Sequence, residues 1–173
     1  MDLREQRFGI EIEMTGITRA GAAKVAAAYF GTRSEYVGTY YQAYAAVDQE
    51  GRQWKFMSDG SIRAERKIDG ERRSAGAVYK TEMVSPICRY AAIEKIQELI
   101  RELKKKGAIV NESCGIHVHI DASPFDAGKL RNLTNIMAAK EDLIYKALGV
   151  SVERQHRWCR PVEERFLEEL NRR

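Results

Sequence analysis

Two carboxylates stand at alternating positions near the start of the chain, in a segment whose other residues are mostly apolar. Glu11 and Glu13 are separated by Ile12 and flanked by Ile10 and Met14. Because side chains alternate between the two faces of a β-strand, both carboxylates share one face and the apolar residues share the other. Two neighbouring anions repel each other unless a cation lies between them. The pattern therefore predicts a strand with an apolar face beneath and a cation-binding face above.

A second segment repeats this pattern with imidazole side chains. His117, His119 and Asp121 occupy alternate positions within residues 114–121, and the residues between them are isoleucine or valine. Histidine nitrogens and carboxylate oxygens are common metal ligands. We therefore predict that the two segments are strands of one sheet, and that both carry metal-ligand side chains on the same face.

The composition is that of a globular domain. The chain has 173 residues, of which 44% are hydrophobic and 31% charged, which suits a single domain over residues 1–173. The net charge of +4 is too small for a dedicated nucleic-acid-binding surface, and no apolar stretch has the length of a signal peptide or a membrane span. Three widely spaced cysteines favour neither a disulfide framework nor a zinc ribbon. These features predict a cytoplasmic protein that binds neither nucleic acid nor a membrane.

The first half of the chain is predicted to contain strands and one helix. Thr18 can cap a helix that Gly31 ends. Aromatic and alternating residues on both sides of a glycine-containing loop predict a hairpin over residues 41–57. Residues 63–73 are strongly charged, so we expect a mobile, basic surface loop there.

The second half is predicted to be mainly helical, apart from a strand over residues 77–84 and the histidine strand. Apolar residues at helical spacing predict a helix over residues 90–106. Another helix is expected to begin at residues 123–124 and to end at Gly149, and Pro161 is expected to begin a last one. This order of elements predicts an α+β or mixed α/β domain, with helices on one face of a sheet and an open ligand-binding face on the other.

If their strands are neighbours, Glu11, Glu13, Glu82 and His117 converge on the open face. Carboxylates in a poorly solvated site must take up a proton, pair with lysine or arginine, or bind a divalent ion. Oxygen-rich sites select Mg²⁺ or Mn²⁺, and such ions commonly bridge the phosphates of ATP during phosphoryl transfer. The chain contains no GxxxxGK[ST] loop, so metals and arginines would have to hold the phosphates of a bound ATP.

Four motifs follow one another along the chain: FGIEIEM at residues 8–14, SDGSI at 58–62, TEMVSP at 81–86 and CGIHVHI at 114–120. In this order they resemble the motifs of the amidoligase family, which belongs to the carboxylate–amine ligase superfamily of glutamine synthetase and glutamate–cysteine ligase. The resemblance implies a mostly antiparallel, glutamine-synthetase-like sheet. It also implies an ATP-dependent ligase that phosphorylates a substrate carboxylate to an acyl-phosphate. An amine then displaces the phosphate and forms an amide or peptide-like bond.

The resemblance further implies roles for individual residues. Glu11, Glu13, Glu82 and His117 would hold Mg²⁺ or Mn²⁺ and form the catalytic centre. His119 would lie beside them and contact the phosphates of ATP.

The C-terminal region is expected to be shorter than the family pattern. Related proteins continue with further strands that carry a glutamate and an arginine, and we expect the single domain of this chain to lack them. Arg157 and Arg160 are the local candidates for contacts to the ATP phosphates. The predicted partners are small-molecule or peptide carboxylates and amines, and the formation of a homo-oligomer is left open.

Two other functions fit the same residues. A metal-dependent hydrolase would use them to activate water, and a non-catalytic nucleotide- or metal-binding protein would keep the fold without the reaction. Asp59 and Gly60 are assigned first to a structural turn. A second role, in which the Asp59 carboxylate orients an incoming amine, is left open. Cys114 is assigned to a small core position, with no reason for a lowered thiol pKa.

Overall fold

All pairs of strands in the central sheet are antiparallel, which confirms the predicted α+β class. The structure, a computed structural model, describes residues 2–38 and 40–172. The strands are β1 (Phe8–Met14), β2 (Ser34–Gly38), β3 (Ala43–Val47), β4 (Gln53–Met57), β5 (Glu65–Ile68), β6 (Glu71–Ser74), β7 (Thr81–Val84) and β8 (Ile116–Ile120). The central sheet has the order β2-β3-β4-β7-β1-β8, and β5 and β6 form a separate hairpin.

The chain divides into two compact units, Met1–Asp121 and Ala122–Arg173. In their described parts, the first unit holds both sheets and two α-helices, and the second unit is helical. That both units belong to one domain over residues 1–173 stays a prediction. The helices are α1 (Arg19–Phe30) and α2 (Ile93–Lys105) in the first unit, and α3 (Ala127–Leu148), α4 (Val152–Arg157) and α5 (Glu164–Asn171) in the second.

Helix α1 begins and ends where the sequence predicts. The Thr18 hydroxyl accepts a hydrogen bond from the Gly21 N–H at 3.1 Å, and Gly31 adopts the left-handed conformation with φ of 68°. The buried face of the helix is made largely of alanine, which allows a close approach to the sheet. That face packs on Trp54 and Phe56 in the main core cluster. Helix α1 therefore covers the apolar face of the sheet.

Helix α2 confirms the helix predicted over residues 90–106, and a 3₁₀ turn at Tyr90–Ala92 precedes it. Ile96, Leu99 and Leu103 form its buried stripe and join the same core as α1. Both helices therefore pack on the face of the sheet opposite the carboxylates. Among the described residues, no helix has the length and apolar character that a membrane span requires.

The turn after β1 depends on a glycine. Gly16 has a φ of 80°, and a Cβ atom there would lie 2.8 Å from Ile109 Cγ1 and closer still to the Gly107 carbonyl oxygen. Just before it, the Thr15 N–H donates to the Ile109 carbonyl at 2.8 Å. The backbone of residues 107–109 therefore lies directly against this turn, which ends the strand that carries Glu11 and Glu13.

Gly16→Ala is expected to destabilise the protein by about 2 kcal/mol or more, because it combines left-handed strain with a steric clash against backbone. Gly51→Ala is the matched control, since Gly51 has a φ of 76° but nothing lies within 4 Å of its Cβ position. The control should cost only about 1 kcal/mol. Denaturant unfolding of both variants measures the difference, and equal losses would contradict the close approach.

Several predictions about local structure are wrong. Most of the predicted loop over residues 63–73 is instead the β5–β6 hairpin, which begins at Glu65. Its turn residues Asp69 and Gly70 have φ values of 52° and 84°. The strand predicted over residues 77–84 is divided into a 3₁₀ turn at Ala77–Tyr79 and the short strand β7. The helix expected to begin at residues 123–124 begins later.

That later start has a local cause. The Asp126 carboxylate accepts a hydrogen bond from the Lys129 N–H at 2.8 Å and caps α3. Gly149 ends the helix, as predicted. The sequence did not reveal strand β2 or helix α4, and the last helix begins at Glu164 rather than Pro161.

Candidate functional site

The strand pairing brings the predicted site residues of three strands onto one face of the sheet. Strand β1 lies between β7 and β8, as the sequence analysis required. Glu13 pairs with Glu82 on β7, and Glu11 pairs with His117 on β8. Because paired residues in antiparallel strands point to the same face, all four side chains lie together. We call Glu11, Glu13, Asp59, Glu82 and His117 the carboxylate cluster.

Glu11, Glu82 and His117 form the first group of possible metal ligands. One ligand atom of each lies within 4.8 Å of the ligand atoms of the other two. The Glu11 carboxylate lies 3.1 Å from His117 Nδ1 and 3.2 Å from His119 Nε2. Partial burial raises the pKa of Glu11, but the hydrogen bonds and charges of His119 and His117 outweigh it and lower that pKa. Glu11 is therefore held ionised between two imidazole rings.

Glu13, Asp59 and Glu82 form the second group, also with ligand atoms within 4.8 Å of one another. Sequence reasoning assigned Asp59 to a structural turn, and its Oδ1 does accept from the Ser61 N–H at 2.6 Å. The same carboxyl group reaches the cluster, so the sequence analysis missed a candidate ligand. Its one available signal was the place of Asp59 in the SDGSI motif.

Glu13 is held by polar contacts from two directions. The Gly115 N–H donates to Glu13 Oε2 at 2.6 Å, and the Ser61 hydroxyl lies 3.4 Å from Oε1. The side chain is buried, and so is that of Glu82. Among residues 2–38 and 40–172, no lysine or arginine forms an ion pair with Glu11, Glu13 or Glu82. The negative charge of this site is therefore left to protons or bound cations.

Glu82 shows the electrostatic cost of this arrangement. Burial and the nearby charges of Glu11, Asp59 and Glu13 raise the pKa of Glu82 to about 7, although His117 lowers it slightly. Near neutral pH and without a cation, Glu82 therefore carries a proton for much of the time. A divalent cation at the same place would displace that proton.

Comparison with known proteins identifies the family. The family model described as "Putative amidoligase enzyme" matches residues 4–173, which is nearly the whole chain. The chain belongs to the amidoligase family. No curated protein and no solved structure matches it. Three of the four motifs lie on or beside β1, β7 and β8, the strands that carry Glu11, Glu13, Glu82 and His117, and the fourth motif contains Asp59.

The remaining predicted site residues fall into two groups. His119 contacts Glu11 and lies on the face of the carboxylate cluster. Arg157 and Arg160 belong to the second unit of the chain, where the guanidinium of Arg157 lies 4.5 Å from the centre of the Trp158 ring. The roles of all three in binding ATP stay predictions.

Cys114 confirms one expectation of the sequence analysis. Burial raises the pKa of its thiol, against small opposing effects of nearby hydrogen bonds. A thiol with a raised pKa is a poor nucleophile near neutral pH. Cys114 is only half-buried and lies outside the buried core cluster, so its assignment to a core position is not confirmed.

Proposed function

We propose that this chain is an ATP-dependent carboxylate–amine ligase that works with divalent cations bound to the carboxylate cluster. The observation that carries the proposal is that two groups of possible ligands share Glu82. One group is Glu11, Glu82 and His117, and the other is Glu13, Asp59 and Glu82. A shared carboxylate between two ligand groups is the arrangement expected of a two-metal site. Membership of the amidoligase family supports the ligase reaction.

The chemistry of the donor atoms fits Mg²⁺ or Mn²⁺. Carboxylate oxygens dominate both groups, and the His117 imidazole suits Mn²⁺ better than Mg²⁺. The shortage of lysine and arginine partners supports the same conclusion, because an uncompensated group of buried carboxylates is costly. When bound, the ions would polarise the ATP phosphates and offset the charge that develops during phosphoryl transfer.

The residues of the chain have distinct roles in this proposal. His117 and His119 hold the Glu11 carboxylate from one side, and the Gly115 N–H holds that of Glu13. These contacts orient both carboxylates before any ligand binds, which is the preorganisation that a precise site requires. His119 is more exposed than its partner Glu11 and is our candidate for contact with an ATP phosphate.

The proposed reaction has two steps. A carboxylate oxygen of the substrate forms a bond to the γ-phosphorus of ATP, and the bond to ADP breaks, which gives an acyl-phosphate. The amine nitrogen of the second substrate then bonds to the carbonyl carbon, phosphate leaves, and the nitrogen loses a proton. We propose small-molecule or peptide carboxylates and amines as substrates.

A nucleotide-binding experiment tests the metal requirement. Calorimetric titration of the protein with a non-hydrolysable ATP analogue is expected to show binding with Mn²⁺ and at least about tenfold weaker binding with EDTA. Glu13→Gln should remove this dependence on Mn²⁺, because it removes a charged oxygen from one ligand group. Glu35→Gln is the control, since Glu35 on β2 lies on the same sheet face, outside the cluster. Unchanged metal-coupled affinity in Glu13→Gln would contradict the proposal.

Product analysis then separates the ligase from the alternatives. We would supply ATP, Mg²⁺ and a panel of amino acids and short peptides, with hydroxylamine as a general amine. A ligase produces ADP and a hydroxamate together. Cleavage of a substrate without nucleotide would indicate a hydrolase, and metal-coupled ATP binding without any turnover would indicate a non-catalytic binding protein.

A further inference from the structure

A pocket lies on the other side of the sheet from the carboxylate cluster. It has a volume of about 340 Å³ and lies beside the first turn of α1. Tyr44, one of its lining residues, pairs with Phe56, whose side chain is in the core beneath α1. We call this space the Arg19 pocket, and its main lining residues are Thr18, Arg19, Tyr36, Gln42, Tyr44 and Val78.

Arg19 is buried, with only 5% of its surface exposed. Its Nη1 donates to the carbonyl oxygens of Ala77 at 2.9 Å and Lys80 at 3.1 Å, and its Nη2 donates to Gln42 Oε1 at 2.6 Å. The Nε atom is buried and has no hydrogen-bond partner. A guanidinium group has five N–H donors, so the neutral partners use only part of its capacity.

The charge of Arg19 is also uncompensated. Within the described ranges 2–38 and 40–172, no carboxylate forms an ion pair with this guanidinium. Arginine keeps its proton in proteins, so it cannot escape the cost of burial by becoming neutral. A buried cation with neutral partners alone is expensive, whereas an anion in the adjoining pocket would offset that cost.

The other walls of the pocket suit an anion with a small organic body. The first N–H groups of α1, those of Arg19 and Ala20, have no partner within the helix, and the helix dipole favours negative charge at this end. Tyr36 and Tyr44 form an aromatic pair with ring centres 5.0 Å apart. The pocket is at the small end of the range for ligand sites, which favours a ligand of amino-acid size.

We propose that the Arg19 pocket binds a small anion, whose carboxylate or phosphate group is recognised by the guanidinium of Arg19 and the first turn of α1. The aromatic pair and Val78 contact the rest of the ligand. This site is separate from the proposed ATP and metal site, because the two lie on opposite faces of the sheet. Its failure would therefore leave the proposed ligase function untouched.

The test is an NMR titration of the full ¹⁵N-labelled chain with sodium acetate, sodium glutamate and inorganic phosphate in separate experiments. Sodium chloride at matched ionic strength is the reference. At least one of the three anions should shift the Nε–H signal of Arg19 and the amide signal of Ala20 along a saturable curve. Saturation by acetate or glutamate identifies a carboxylate site, and saturation by phosphate alone identifies a phosphate site.

Two variants and one control locate the site. Val78→Trp fills the pocket from a half-exposed position, so the variant should fold. It should lower, at least tenfold, the affinity for the anion that saturates. Arg19→Lys keeps the positive charge but removes the planar guanidinium group, so a similar loss of affinity for the anion is expected. Arg33→Gln removes an exposed arginine beyond the far end of α1 and should change nothing.

Two results would overturn the proposal. One is that all three anions shift the signals no more than sodium chloride does over the millimolar range. The other is undiminished binding in Val78→Trp. If Arg19→Lys fails to fold, the result with Val78→Trp decides the question alone.

Discussion

Glu82→Gln is expected to lower the affinity of the protein for Mn²⁺ at least about 100-fold, or roughly 2.8 kcal/mol. Glu82 belongs to both groups of possible ligands, so a neutral amide at this position removes an anionic oxygen from each. No other residue of the cluster is shared in this way. The loss should therefore exceed that of any other single substitution in the cluster.

Mn²⁺ titration by calorimetry measures this effect, and two milder variants test the assignment of ligands. Asp59→Asn and His117→Gln each change a ligand in only one group, so each is expected to lower the affinity for one ion and to leave the affinity for the other unchanged. Glu35→Gln, the same substitution on the same face but outside the cluster, should leave both ions bound. Full Mn²⁺ affinity in Glu82→Gln would show that the cluster is not a metal site.

The same residue is expected to make the metal-free protein less stable as the pH rises. The pKa of Glu82 is about 7 in the folded state against an ordinary value of 4.5, so between these values the folded state holds a proton that the unfolded state has released. Stability falls with rising pH wherever the native state binds more protons. The total contribution from pH 4 to pH 8 is about 3 kcal/mol, from 1.36 kcal/mol per pKa unit.

Glu82→Gln isolates this contribution, because the amide resembles the protonated carboxyl group and does not titrate. Urea unfolding in EDTA should give similar free energies for variant and wild type at about pH 4, and a variant about 3 kcal/mol more stable at about pH 8. Mn²⁺ should stabilise the wild type at pH 8 and not the variant. A difference that stays constant with pH would mean that Glu82 has an ordinary pKa.

Both predictions express one property of the site. Four members of the carboxylate cluster, Glu11, Glu13, Glu82 and His117, lie on regular strands. The backbone hydrogen bonds of the sheet hold these side chains together despite the repulsion between the carboxylates. A metal-binding site arranged in this way is destabilised without its ion and regains that free energy when the ion binds. The pH dependence of unfolding reports the free energy that the metal-free site loses through the repulsion at Glu82. The Mn²⁺ titration reports the free energy that ion binding restores.

Much of the local structure was predictable because its signals lie within a few residues. The alternation around Glu11 and around His117 identified both strands and their polar faces, and Thr18 and Gly31 marked the ends of α1. Local composition was misleading at residues 63–73, where the high density of charged residues suggested a loop. There the turn residues Asp69 and Gly70 were the better guide to a hairpin.

The membership of the site was only partly predictable. Glu11, Glu13, Glu82 and His117 were chosen from their residue types and motifs, and the structure brings all four together. Asp59 was assigned to a turn, because a DG pair occurs in many turns and nothing local shows what its carboxyl group contacts. Arg157 and Arg160 were chosen by type alone, and their roles stay predictions.

The sequence by itself determined which faces of β1 and β8 are polar, since alternation along a strand is a property of the backbone. Only the tertiary structure decided that Glu13 lies beside Glu82, that Asp59 joins them, and that Glu82 has a raised pKa. The physical reason is that these properties depend on strand register and on burial. Both arise from contacts between segments far apart in the chain, which no local pattern of residues specifies.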